Sequence, residues 1–160
     1  MFMHLEIELD GPVATIWMNR PDLHNAFDQD LIAELTAACK ALDDDDDVRV
    51  VILAGRGKSF SAGADLNWMK RAAENGIDDN LDDARALARM LRALAEMRKP
   101  TIARVQGAAL GGGAVLVGAE DFTVLGGSIG SGNTAKRYRI AELAVQERIP
   151  LVMILEGAGH

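Results

Sequence analysis

Lys58-Ser59-Phe60-Ser61-Ala62-Gly63-Ala64-Asp65-Leu66-Asn67-Trp68-Met69 is the stretch on which the fold turns. It follows the apolar run 48–55 (V-R-V-V-I-L-A-G), whose β-branched content and length suit a buried strand, and it leads into a segment with helical potential. A strand that ends in a small-residue loop and starts a helix leaves peptide N–H groups unpaired near one spot. Such a spot suits an anion or a developing oxyanion. The plainer reading is a solvated strand-to-helix turn that uses Gly63 for its bend. A second small-residue loop, 105–114 (V-Q-G-A-A-L-G-G-G-A), follows another strand-like run at 101–105, and the pair favours the oxyanion reading.

Together the loops resemble the crotonase (enoyl-CoA hydratase/isomerase) family, with S-A-G-A-D-L at 61–66, G-A-A-L-G-G-G at 107–113 and N-R-P-D-L-H-N-A-F at 19–27. The resemblance covers residues 1 to about 113. It implies an α/β protein with a ClpP/crotonase-like superhelix of ββα turns, here truncated. It also implies an acyl-CoA thioester as ligand, its carbonyl oxygen taking one backbone N–H from each loop. Matched by motif, the catalytic donors are the N–H groups of Ala64 and Gly112. The expected substrate-binding positions are His24, Ala26, Lys58, Ala62, Gly63, Asp65, Leu66 and Gly111. No metal is implied, and no cofactor beyond the coenzyme A of the substrate itself. Because the donors are main chain, the motif calls for small residues that let a carbonyl come close.

The 160 residues, 49% of them hydrophobic, suffice for one globular domain with a real core. The start, M-F-M-H-L-E-I-E-L, alternates like a strand and lacks the basic and apolar blocks of a signal peptide. No run reaches membrane-spanning length, so a soluble, cytoplasmic protein is expected. A lone cysteine, Cys39, fits a reducing compartment, and its place on the apolar side of a helical pattern makes it a core residue. With 17 basic and 24 acidic residues the formal charge is −7, which argues against a nucleic-acid partner. An anionic coenzyme A would then need local cations. Arg20, His24, Arg56, Lys58, Lys70 and Arg71 flank the first loop, with Lys58 and His24 best placed beside the motifs.

In chain order, 4–9 and 13–18 read as strands joined around Asp10-Gly11-Pro12. A helix capped by Asp28 carries Leu31, Leu35, Ala38 and Leu42 on one face and ends in the acidic run 43–47, a solvated loop rather than a metal site. Residues 64–73 form a helix whose Trp68 and Met69 either line an acyl pocket or pack in the core. A longer helix runs from about 81 to 97. Ala84, Leu87, Leu91 and Leu94 form its stripe, Asp82 and Asp83 lie in its first turn, Arg98 and Lys99 close it, and Pro100 stops it.

Past Gly113 the crotonase pattern changes. Val115 stands where hydratases of that family carry a glutamate, and the family's downstream P-E-x-x-L-G segment does not follow. Segments 119–130, 134–137 and 149–160, with D-F-T-V-L-G-G-S at 121–128, resemble instead the carboxyltransferase β subunit of biotin-dependent acyl-CoA carboxylases. The sequence therefore reads as a single domain, 1–160, in two parts: 1–113 enoyl-CoA hydratase-like and 114–160 carboxyltransferase-like, a chimera with its seam between about 107 and 119. Catalysis needs an acid or base near the moving proton, and Asp65, Glu120 and Glu142 are the candidates. Impaired catalysis is expected; the alternative is a non-catalytic chimeric or designed scaffold of crotonase-superfamily fragments. A helix over 133–148 and an apolar strand over 151–155 complete the reading, and that strand predicts a homo-oligomer.

Overall fold

The computed structural model describes residues 2–119 and 122–124. The helix expected over 133–148 and the strand over 151–155 lie outside them.

The first two strands, β1 (Leu5–Asp10) and β2 (Val13–Met18), form the expected antiparallel hairpin, turned at Gly11 with φ +54°. From β2 onward the sheet is parallel: β3 (Val50–Gly55), β4 (Thr101–Arg104) and β5 (Phe122–Val124) follow in the order β1-β2-β3-β4-β5. The third strand starts two residues later than its apolar run, because the Arg49 and Val50 N–H groups both donate to the Pro12 carbonyl at the hairpin. Each parallel pairing is made through a helical crossover. The loops that leave β2, β3 and β4 therefore gather at one edge, the carboxyl ends of the strands, where ligand sites of parallel sheets form.

Helix α1 (Gln29–Asp44) starts at Asp28, whose carboxylate accepts from the Leu31 N–H at 3.1 Å, as the sequence predicts. It buries the expected Leu31, Leu35, Ala38 and Leu42, and with them Ile32 and Cys39. Helix α2 (Leu66–Glu74) begins after Asp65 rather than at Ala64, since Asp65 is its cap.

Helix α3 (Ile77–Ala95) corrects the predicted span. It starts four residues earlier, capped at Gly76, with Asp78 and Asp79 rather than Asp82 and Asp83 in its first turn. Ala84 is exposed, and the buried stripe comprises Met90 and Leu94 flanked by the half-buried Leu87 and Leu91. Arg98 and Lys99 do not close this helix. They reach back to the end of α1: Arg98 binds the Asp43 carboxylate at 2.9 Å and Asp44 at 2.7 Å, while the Lys99 ammonium donates to the Leu42 and Asp45 carbonyls. Two cations thus sit where the α1 dipole is negative and offset the acidic run. Burial pushes the Asp43 carboxyl up, yet its hydrogen bonds from Arg98 leave it below the usual carboxylate range.

The core lies between one sheet face, with Ile16, Met18, Val51 and Leu53, and the helices α1 and α3, which pack on each other. Alternation puts Trp17 on the opposite face. There the guanidinium groups of Arg56 and Arg104 lie over its ring, 3.9 and 4.4 Å from its centroid, while its indole N–H donates to Glu8 at 2.8 Å. Each fully buried Leu or Ile is worth about 1.5–3 kcal/mol against about 0–1 for an exposed ion pair, so the helix-covered face carries the stability. Among the described residues no helix is long and apolar enough to cross a membrane.

Candidate active site at the carboxyl edge of the sheet

Three loops meet beyond the carboxyl ends of β2, β3 and β4. The segment after β2 turns through a short 3-10 helix, Pro21–Leu23, and then through His24 and Asn25, both left-handed with φ 51° and 52°. Asn25 is fully buried and acts as the tie between loops. Its Oδ1 accepts from the Arg20 N–H at 2.9 Å, and its Nδ2 donates to the Arg56 and Ser59 carbonyls at 2.8 Å each.

The first small-residue loop is fixed by polar contacts. The Ser61 hydroxyl donates to the Asn25 carbonyl at 2.9 Å and accepts from the Gly63 N–H at 3.1 Å. Asp65 accepts from the Asn67 and Trp68 N–H groups at 2.8 and 3.2 Å. It also pairs at 3.2 Å with Arg20, which binds Asp28 at 2.9 Å and the Ala26 carbonyl. One guanidinium therefore joins the caps of α1 and α2. Burial raises the Asp65 carboxyl, but the Trp68 and Asn67 N–H groups and Arg20 outweigh it and hold it below its ordinary value. A carboxylate bound in this way is part of the loop's frame, not a base held ready for a substrate proton.

The second loop docks on the first. A parallel bridge pairs Ser61 with Ala109: the Ser61 N–H donates to the Ala108 carbonyl at 3.2 Å and the Leu110 N–H to the Ser61 carbonyl at 2.9 Å. Glycine permits this closeness. A Cβ on Gly63, where φ is +89°, would lie 2.7 Å from the Leu110 carbonyl oxygen and 3.0 Å from the Gly112 nitrogen. Beyond the loop runs α4 (Gly112–Ala119).

The N–H groups of the two loops are engaged only in part. Ser61, Ala62, Gly63 and Asp65 all donate, the second to the His24 carbonyl and the fourth to Phe27, while Leu110, Gly113 and Ala114 donate within or between the loops. Among the described residues, the N–H groups of Lys58, Ser59, Phe60, Leu66, Gly107, Ala108, Ala109 and Gly111 have no hydrogen-bond partner, and neither have those of Ala64 and Gly112. The last two are those that the motifs single out, and they flank the Gly63–Gly112 contact. Two main-chain donors at a glycine-lined seam can take up negative charge on an oxygen.

The other expected site residues divide. His24, Lys58, Ala62, Leu66 and Gly111 are exposed, whereas Ala26, Gly63 and Asp65 are buried. The His24 Nδ1 lies 3.1 Å from the Ser59 hydroxyl. Of the flanking cations, two are engaged within the protein: Arg20 is held by Asp28 and Asp65, and Arg56 binds Glu6 and Glu8 at 2.6 Å each on the Trp17 face. Trp68 is buried beneath α3, donating to Asp83 at 3.0 Å beside Ile32 and Ala86, while Met69 is exposed. His4, Asp28 and Asp30 bring three potential metal ligands within 4.8 Å of one another, but both Asp28 oxygens are engaged, by Leu31 N–H and by Arg20. Sequence reasoning gave no role to Asn25 or Phe27, although both stand in the 19–27 motif; a buried amide at positive φ has no signature in a single sequence.

Comparison with known proteins bears on the family and the fold. The enoyl-CoA hydratase/isomerase family profile matches residues 8–138, running through 107–119, where the sequence pattern changes. A Rhizobium meliloti protein named "Probable enoyl-CoA hydratase" is 41% identical over 120 residues, 75% of this chain and 45% of its own length. The 4-chlorobenzoyl coenzyme A dehalogenase-2 of an Arthrobacter species is 35% identical over 122 residues, 76% of this chain and 44% of its own. The crystal structure of an enoyl-CoA hydratase from Shewanella pealeana superposes with a TM-score of 0.74 at 40% identity, covering 76% of this chain and 46% of that one. The chain thus spans less than half the length of these relatives. With the profile covering most of the chain and a crotonase-type structure beneath it, the protein belongs to the enoyl-CoA hydratase/isomerase family.

Proposed function

We propose that the chain binds an acyl-CoA thioester at the seam of loops 58–66 and 105–113, with the Ala64 and Gly112 N–H groups donated to the thioester carbonyl oxygen. The observation that supports this is the seam itself: the Ala64 and Gly112 N–H groups have no partner among the described residues and stand beside the close approach of the two loops, where a Cβ on Gly63 would lie 3.0 Å from the Gly112 nitrogen. His24 and Lys58, exposed on the rim, are the cations offered to the coenzyme A phosphates. Ala26, Ala62, Gly63, Leu66 and Gly111 supply the walls, and Asp65 frames the loop. No cofactor beyond the coenzyme A of the substrate enters this reading.

Polarising a thioester is half of hydration; the other half moves a proton. Val115, 52% exposed on the first turns of α4, offers no titratable group, and Asp65 is engaged. Hydratase turnover is therefore expected far below the ordinary enzyme range of about 1 per second and above. The same valine favours the second reading, a non-catalytic scaffold in which 114–160 is a carboxyltransferase-like part joined to a hydratase-like 1–113. In either case the chain is taken as one domain that acts as a cytoplasmic homo-oligomer.

Calorimetric titration with crotonyl-CoA tests the site. Ala64→Pro removes one proposed donor without placing a new Cβ against the Phe27 ring. Affinity should fall about tenfold, the worth of one hydrogen bond to a developing charge. Unchanged affinity in a variant with wild-type circular dichroism would remove the donor assignment.

A further inference from the structure

We propose that Phe27 is the positioning residue of this site: its main chain aims the Ala64 N–H and its ring sets how closely Gly112 approaches. The inference rests on the acyl-CoA reading above and adds what holds the two donors in place.

A parallel bridge pairs Phe27 with Ala64. The Phe27 N–H donates to the Gly63 carbonyl at 2.8 Å and the Phe27 carbonyl accepts from the Asp65 N–H at 3.0 Å, so the Ala64 residue is gripped on both sides. The Gly63 carbonyl and the Ala64 N–H belong to one planar trans peptide and point in opposite directions. Tying that carbonyl to Phe27 turns the Ala64 N–H away from the 25–28 segment. The side chain of the same residue reaches the other loop. Phe27 is 2% exposed, and a Cβ on Gly112 would lie 2.1 Å from its Cζ and 3.0 Å from its Cε1. The para edge of the ring therefore rests where any other residue's side chain would begin. Gly112 must be glycine because of this ring, and the ring limits how far the second loop can sink toward the core. One buried residue thus touches both elements that carry a donor.

The test uses the full chain and a chromophoric CoA thioester, para-dimethylaminocinnamoyl-CoA, whose absorbance moves to the red when its carbonyl is polarised. The wild-type protein should bind it with a red shift. Phe27→Leu shortens the ring contact, and should keep affinity within about threefold while losing most of the shift. Gly112→Ala should lose it too, its methyl driven against the ring. The double variant Phe27→Leu/Gly112→Ala should recover part of it, because the methyl then fills the vacated space. A full shift in folded Phe27→Leu overturns the proposal, as does a double variant no better than the weaker single. Equal loss of affinity and shift in a folded variant also overturns it, since that marks a purely structural role. Should Phe27→Leu not fold, Phe27→Met is read by the same criteria. Wild-type binding without a shift would instead remove the two-donor reading itself, and the inference with it.

Discussion

The two loops of the seam are held by different means. The first is fixed by polar side chains: Ser61, Asp65 and Asn25 each satisfy main-chain groups of 58–68, and Arg20 pairs with the Asp65 carboxylate. The second contributes main-chain bonds and an absence of side chains, with Gly107, Gly112 and Gly113 each lying where a Cβ would strike Lys58, Phe27 or Ser61. Polar fixing tolerates small shifts, because hydrogen bonds bend; steric fixing does not, because repulsion rises steeply. The first loop should therefore fail by degrees and the second abruptly.

The sharpest way to break that contrast is Gly107→Ala. At φ +61° its Cβ would lie 2.0 Å from the Lys58 carbonyl oxygen, a backbone atom with nowhere to go. A loss of about 3–5 kcal/mol is expected in urea denaturation, combining left-handed strain with overpacking. A loss under about 1 kcal/mol would mean that the second loop yields as readily as the first.

Asp65→Asn probes the polar loop more gently, since the amide oxygen can still cap α2 while the charge facing Arg20 is gone. A loss of about 1–2 kcal/mol at neutral pH is expected. The sign of its pH dependence follows from the depressed carboxyl. A folded-state value below the unfolded one, about 3.9, contributes stability above that pH and loses it as pH falls through the folded value. The gap between wild type and Asp65→Asn should accordingly close below about pH 4. A gap that stays constant from pH 7 to pH 3 would assign the effect to the cap alone.

The smallest effect serves as the control. Arg56, one of the cations that flank the first loop in sequence, pairs with the exposed Glu6 and Glu8 on the Trp17 face. Arg56→Ala should cost least of the three variants, a cost that shrinks further in high salt, and should leave crotonyl-CoA affinity unchanged. A drop in affinity would place Arg56 in the site.

What the sequence disclosed was local or motif-bound. The Asp28 cap, the Gly11 turn and the strand at 13–18 depend on neighbours close in sequence, and all were legible. The two proposed donors come from the family pattern, which calls for small residues at those positions. What stayed hidden was long-range pairing. Arg98 and Lys99 close a helix more than fifty residues upstream, and Arg20 is drawn to Asp65, contacts that periodicity cannot express. The early start of α3 was missed for another reason. Its first turns expose Ile77 and Leu81, so no apolar stripe announces them, and only Gly76 followed by two aspartates marks the beginning.

The parallel register carries a kinetic consequence. Every pairing that assembles the carboxyl edge joins distant parts of the chain, with Val13 opposite Val50 and Val51 opposite Thr101. Each closes a long loop before any contact repays the lost chain entropy, which places this topology among the slower folders. The hairpin and α1 can form early from contacts close in sequence. The seam, needing β2, β3 and β4 in register together with Phe27 between its two loops, is expected to be among the last features acquired on folding, and among the first lost when the strands part.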